Sequence, residues 1–105
     1  MPTDVPAEVF AARVAGGDVT VIGEVDLATA PRLRQALEEA AGAGGRITVD
    51  LRAVRYLDSA GMAALFEFSS HGMSVRVAPG SIVARVLEIS GLANVATVEL
   101  DAPEP

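Results

Sequence analysis

The sequence predicts one α/β domain: a mixed, mostly parallel β-sheet with helices packed on it, in the order β-β-α-β-α-β-α-β. Three observations predict it. A Gly16-Gly17-Asp18 turn joins two short strand-like segments, as in an antiparallel hairpin. Beyond it, segments with helical spacing alternate with short β-branched runs, the pattern of crossover helices between parallel strands. The 105 residues fit a single domain of common size, long enough to bury its own core.

The elements follow in chain order. Val9-Phe10-Ala11-Ala12-Arg13-Val14 reads as the first strand, and Val19-Thr20-Val21-Ile22-Gly23, alternating and β-branched, as the second. Glu24 to Ala30 reads as a loop. Thr29 and Pro31 then announce a helix, since proline is tolerated at a helix start. In it Leu33, Ala36, Leu37 and Ala40 fall at i, i+3, i+4 and i+7, one apolar stripe that ends at Gly42, Gly44 and Gly45. Ile47 to Leu51 is a short strand and Arg52 to Leu57 a loop. Asp58 caps a helix from Ser59 to about Ser69, in which Met62, Leu65, Phe66 and Ser69 share one face. Val75 to Ala78 is a strand, Ile82 to Ile89 a helix capped by Gly91, and Ala96 to Leu100 the last strand. Asp101 to Pro105 reads as a disordered tail.

Composition excludes several function classes. The chain has no cysteine, so disulfides, thiolate chemistry and Cys-ligated zinc are ruled out. Its net charge of −6 disfavours phosphate backbones and anionic membranes, so neither a nucleic-acid nor a membrane partner is expected. No apolar run approaches the roughly 18 residues of a membrane span. The N-terminus lacks a basic cluster followed by an apolar stretch. A cytoplasmic location is the economical expectation.

Catalytic constellations are weak. Ser59, Asp58 and His71 suggest a hydrolase triad, but twelve residues along one helix and its turn separate Ser59 from His71 by ~18 Å, against the ~3 Å a nucleophile and its base share. The nucleophile elbow needs glycine two residues before and after the serine; Gly61 is present, but position 57 is Leu. His71 reads as an exposed turn residue. Scattered carboxylates give no metal site, and no phosphate-loop motif occurs. No cofactor and no small-molecule substrate are expected. The Asp58-Ser59 turn has two readings. Asp and Ser are ordinary residues at a helix start. A serine there is also exposed, and a phosphate on it would meet unpaired N–H groups at the positive end of the helix and add about −1.5 to −2 charge beside Asp58.

Three stretches resemble a known family. They are Gly23-Glu24-Val25-Asp26-Leu27-Ala28-Thr29-Ala30-Pro31, then Ile47 to Leu51 with Leu57-Asp58-Ser59-Ala60-Gly61-Met62, then Ala84 to Leu92. Their order and content resemble the STAS domain, specifically bacterial anti-sigma-factor antagonists. The resemblance implies a STAS-like domain over residues 8–100, between a flexible 1–7 segment and the 101–105 tail. It implies that Ser59 accepts phosphate from an anti-sigma factor that is a serine kinase, and that a Ser/Thr phosphatase reverses this. The unmodified form would bind the anti-sigma factor and release a sigma factor, with no catalysis of its own. Asp26 would stand near Ser59. Glu24, Thr29, Asp58, Ala60 and Gly61 would complete the partner-binding region. Stand-alone STAS proteins also serve as accessory subunits of lipid-transport ABC assemblies, which is the alternative reading. The stretch Glu67 to Ser74 departs from the family pattern: it is shorter by about one helical turn, with Phe68 where charge is usual. Phe68 is either partly buried in the core or an exposed contact residue.

Overall fold

The Gly16-Gly17 turn pairs β1 (Phe10–Ala15) antiparallel with β2 (Asp18–Val25), Ala15 opposite Asp18 and Phe10 opposite Gly23. This is a computed structural model, and it describes residues 10–102. The 1–7 segment expected to be flexible, and Val9 of the first strand, lie outside the described residues. After the hairpin come α1 (Ala30–Ala41), β3 (Ile47–Leu57), α2 (Ser59–Phe68), β4 (Met73–Val77), α3 (Ile82–Ser90) and β5 (Thr97–Leu100). The sheet order is β1-β2-β3-β4-β5, and every pair beyond the hairpin is parallel. The domain is thus an α/β fold with a five-stranded mixed sheet and three helices, in the order the sequence predicts.

One face of the sheet carries the core. Along β2, Val19, Val21 and Val25 are buried, while Asp18, Thr20 and Ile22 are exposed. The apolar stripe of α1, at Leu33, Ala36, Leu37 and Ala40, is buried against this face as its spacing requires. α3 adds Val83 and Leu87, and ends at Gly91 in the left-handed conformation, φ 80°. Helices cover the buried face; the opposite face is open.

β3 differs most from expectation. Arg52 to Leu57, expected as a loop, continues the strand, which runs eleven residues. The buried positions are Ile47, Val49 and Leu51, then Val54 and Leu57. The spacing changes from two to three because the pairing with β2 shifts register twice, between Thr20 and Ile22 and between Gly23 and Glu24. Each shift places an extra residue on β3, so two β-bulges return the apolar side chains to the core and erase the alternation a strand normally shows.

α2 also differs. Its buried residues are Gly61, Met62, Ala64, Leu65 and Phe68, whereas Phe66 is exposed. The inward face therefore includes Phe68 rather than Phe66 and Ser69. Phe68 is a core residue, its ring 5.7 Å from that of His71. His71 itself is exposed in the 3-10 turn Ser69–His71.

The expected tail is ordered at its start. The Asp101 N–H donates to the Val77 carbonyl at 2.9 Å, extending the edge of β5. Its carboxylate pairs with Arg76 and lies 3.8 Å from Arg52. Arg52 in turn holds Asp50 at 2.8 Å and the Ala102 carbonyl at 3.0 Å. Two aspartates and two arginines thus link β3, β4 and the end of the chain across the open face. Hydrogen bonds from Arg52 hold the Asp50 carboxyl below its ordinary range, outweighing its partial burial. The hydrogen bond from Arg76 does the same for Asp101.

Both folded-state values are depressed, so the stability these groups contribute is present above the unfolded value and lost as pH falls through the folded one. Asp50→Asn is therefore expected to lower stability at pH 7 and to flatten its decline between about pH 5 and pH 2, as read by denaturant melts across that range. An unchanged acid slope would show that the cluster does not couple to folding.

Candidate functional site

The site forms where β2 and β3 end side by side. Val25 and Leu57 are register partners, and the Asp58 N–H donates to the Val25 carbonyl at 3.1 Å. The two strands therefore deliver their following turns, 26–29 and 58–61, to the same edge of the sheet. This is the carboxyl end of the parallel strands, where α/β proteins place their binding surfaces.

The second turn opens α2. Asp58 has extended backbone, and its Oδ1 accepts from the N–H groups of Ala60 at 2.9 Å and Gly61 at 3.2 Å. This is the N-cap that the sequence predicts. It corrects one expectation: these N–H groups are not unpaired, so a phosphate on Ser59 would find two donors of the first turn already held by Asp58. Ser59 is exposed, and its hydroxyl makes no hydrogen bond among the described residues. Gly61 is buried. A Cβ there would come within 2.7 Å of Val25 Cγ1 and closer still to Leu57 Cδ1. Only glycine lets the first turn of α2 rest directly on the strand ends.

The first turn is closed on itself. Asp26 Oδ1 accepts from the N–H groups of Ala28 at 3.0 Å and Thr29 at 3.1 Å. The Thr29 hydroxyl accepts the Asp26 N–H at 2.9 Å and lies 3.0 Å from the Glu24 carbonyl. Thr29 stands at the N-cap of α1 but makes no side-chain cap; it braces the loop instead. Asp26 is thus a fixed negative charge. Glu24 faces Arg55 across a long 3.5 Å contact between exposed groups, worth little energetically.

Sequence reasoning passed over the apolar part of this surface. Leu27, 79% exposed, projects between the two turns' elements at the mouth of a groove of about 390 Å³. Pro31, Ala60, Ala63 and Ala64 line it, and the Arg34–Glu67 pair closes it with two hydrogen bonds of 2.7 and 2.8 Å. That pairing raises the Arg34 pKa and lowers that of Glu67. The only signal for Leu27 was an isolated leucine in a polar loop.

Among the described residues, no three His, Asp or Glu side chains gather closely enough to hold a metal, and no helix is long and apolar enough to cross a membrane. Ser59 opens α2 and His71 closes the turn beyond its far end.

A family model described as "Mlab, STAS domain" matches residues 9–100. The chain belongs to the STAS-domain family. No curated protein matches its sequence significantly. Among solved structures, this STAS domain is similar to an anti-sigma factor antagonist from Mycobacterium paratuberculosis, with 26% identity, a TM-score of 0.72, and coverage of 86% of this chain and 83% of that one. It is similar to a candidate anti-sigma factor antagonist from Thermotoga maritima, with 16% identity, a TM-score of 0.67, and coverage of 88% and 86%. It also resembles the anti-sigma factor antagonist SpoIIAA in its unphosphorylated form, with 18% identity, a TM-score of 0.58, and coverage of 90% and 89%. The last two likenesses speak for the fold alone.

The turn geometry of this STAS domain makes two substitutions informative. Gly61→Ala gains up to ~1 kcal/mol of helix propensity but overpacks a buried contact that costs ~1–3 kcal/mol, so a net loss of about 1 kcal/mol is expected in denaturant melts. A more stable variant would show that α2 does not rest on the strand ends. Asp58→Ala is expected to lose about 1 kcal/mol, and Asp58→Asn, which keeps the acceptor, much less. Equal losses would argue against capping.

Proposed function

We propose that this STAS domain is an anti-sigma-factor antagonist gated by phosphorylation of Ser59. Unphosphorylated, it binds a kinase-type anti-sigma factor in the cytoplasm and so frees a sigma factor. The kinase transfers the γ-phosphoryl group of ATP to Ser59 Oγ, the hydroxyl proton leaves, and ADP departs. A Ser/Thr phosphatase restores the hydroxyl. The chain performs no chemistry of its own.

One observation carries this reading: Ser59 is exposed on a rigidly held turn, its hydroxyl unengaged and its neighbouring helix donors already taken by Asp58. A kinase can reach such a hydroxyl. The phosphate it adds cannot bury its charge in the helix terminus without displacing Asp58. It stays solvated at about −1.5 to −2 beside one carboxylate, with the fixed Asp26 on the adjoining turn. A partner that covers Leu27 and the small residues of the groove would have to desolvate that charge. Glu24, Thr29, Ala60 and Gly61 act here by shaping the two turns. The likeness to the Mycobacterium paratuberculosis antagonist supports the choice of partner.

The test uses purified protein, candidate kinase-type anti-sigma factors from its host, and ATP. One added phosphate is expected, mapped to Ser59 and absent from Ser59→Ala. Ser59→Asp is expected to bind the anti-sigma factor at least about tenfold more weakly than the wild type, a loss of ~1.4 kcal/mol. No phosphate with any of these kinases would sink the gating. Undiminished binding by Ser59→Asp would point instead to a constitutive subunit, such as one docked on a transport ATPase.

A further inference from the structure

β1 is one edge of the sheet, and its outer side has no partner strand among the described residues. The hairpin fixes which backbone groups face that side. Gly16 has φ 59°, and the two-residue turn closes on Ala15 and Asp18. Such a closing pair exchanges both backbone hydrogen bonds, and bonded pairs then alternate along an antiparallel ladder. Ala15, Arg13 and Ala11 therefore bond to β2, while Phe10, Ala12 and Val14 turn their N–H and C=O groups outward. Outside the ladder, none of these three makes a backbone hydrogen bond among the described residues. β1 has no bulge and no proline, two of the devices that blunt a sheet edge. The other edge is blunted: β5 has four residues, and Arg52 and Arg76 draw the chain after it over the open face. Beside β1 runs a groove of about 420 Å³, lined on the outer flank of α1 by Arg32, Gln35 and Glu39. Arg32 stacks over the Phe10 ring at 4.9 Å.

We infer that the β1 edge is a self-association surface, pairing antiparallel with β1 of a second copy about a twofold axis at Ala12 and joining the two sheets into one. The axis sets Ala12 opposite Ala12, and Phe10 of each copy opposite Val14 of the other. These are the residues whose backbone groups face outward, so about six hydrogen bonds form. Arg13 falls opposite Ala11, not opposite itself. The same axis matches the helices. α1 runs in the direction of β1, because it returns from the end of β2 to the start of β3. Arg32 is level with Phe10. Glu39 lies ~10.5 Å further along α1, and Val14 ~13 Å further along β1, so these two are nearly level. The axis at Ala12 thus passes between Gln35 and Ala36, and it brings Arg32 of each copy beside Glu39 of the other. α1 lies over β1 and β2 alike. With strands ~4.8 Å apart, the two helices then stand ~10 Å apart, a packing distance. This match selects a second copy as the occupant. An isologous interface must be its own complement. Here one axis satisfies both the hydrogen-bond phase of the strand and the charge order of the helix, whereas an unrelated strand would satisfy only the first. Two chains of net charge −6 can therefore meet here through opposite charges.

One strand edge and one helix flank make a modest interface, so the expected dissociation constant is on the order of 10 µM. The surface uses no residue of the 26–29 or 58–61 turns, and its failure would leave the proposed function untouched.

Sedimentation velocity of the full chain tests it, over concentrations from about 1 µM to about 500 µM, which bracket the expected constant. A concentration-dependent monomer–dimer equilibrium is expected. Ala12→Pro should weaken it by more than about tenfold, since proline is tolerated where an edge N–H faces outward but cannot donate to a second copy. Circular dichroism checks its folding. Arg32→Glu and Glu39→Arg should each weaken the dimer several-fold, and the double swap should restore it. Cysteine cross-linking reads the register even if Ala12→Pro folds poorly, because the chain has no cysteine of its own. On oxidation Ala12→Cys should form a covalent dimer, its two sulfurs facing across the axis. Val14→Cys should not, since its two copies stand ~13 Å apart along the strands. A chain that stays monomeric throughout would overturn the inference. So would a dimer indifferent to a folded Ala12→Pro, a double swap no stronger than its parents, or equal cross-linking at positions 12 and 14.

Discussion

The contact on which the site depends is the seating of the first turn of α2 on the ends of β2 and β3. The Asp58 N–H fastens to the Val25 carbonyl, Asp58 Oδ1 holds the next two helical N–H groups, and Gly61 leaves the room for Val25 and Leu57 to sit against the backbone. These constraints meet within four residues. With the backbone fixed on both sides of it, Ser59 has little choice but to face outward. The exposure on which the proposed phosphorylation rests follows from this packing of one helical turn on two strand ends.

The neighbouring turn is fixed by a different device. Asp26 and Thr29 bind each other's backbone and side chain, so the loop holds its shape without help from the core. The result is a rigid surface with an acidic rim and a small apolar groove beside it, open at Leu27 and closed by Arg34 and Glu67. Such a surface is suited to recognition, because a partner need not order it on binding. The same economy appears on the open face of the sheet, where Asp50, Arg52, Arg76 and Asp101 neutralise one another and fasten the end of β5.

Much of this was legible in the sequence, for identifiable reasons. The hairpin announced itself through Gly16-Gly17, α1 through its unbroken apolar stripe, and the α2 start through an aspartate placed to cap. The second half of β3 was not legible. Strand recognition relies on a period of two, and two bulges changed that period to three between Leu51 and Leu57. The ordering of Asp101 was hidden for another reason: its partner Arg76 is 25 residues away, and no local pattern encodes such a pair. Phe68 was left between core and surface because α2 is apolar nearly all round, so its sequence alone does not say which side faces in; in the structure Phe68 is buried and Phe66 exposed. Leu27 had no period to betray it. The Asp58-Ser59 turn was ambiguous in the sequence, since a capping serine and a phosphate acceptor look alike. In the structure Asp58 makes the cap and the Ser59 hydroxyl takes no part in it.

The most direct test compares one protein in two states. The wild-type chain, phosphorylated stoichiometrically on Ser59, and the same chain after phosphatase treatment are each titrated calorimetrically into the cognate anti-sigma factor. The expected result is binding by the dephosphorylated form and at least about tenfold weaker binding by the phosphorylated form, because the phosphate stays charged and solvated on a turn whose Ala60 and Gly61 donors Asp58 already holds. Equal affinities for the two forms would contradict the account, since the charge on that turn would then gate nothing.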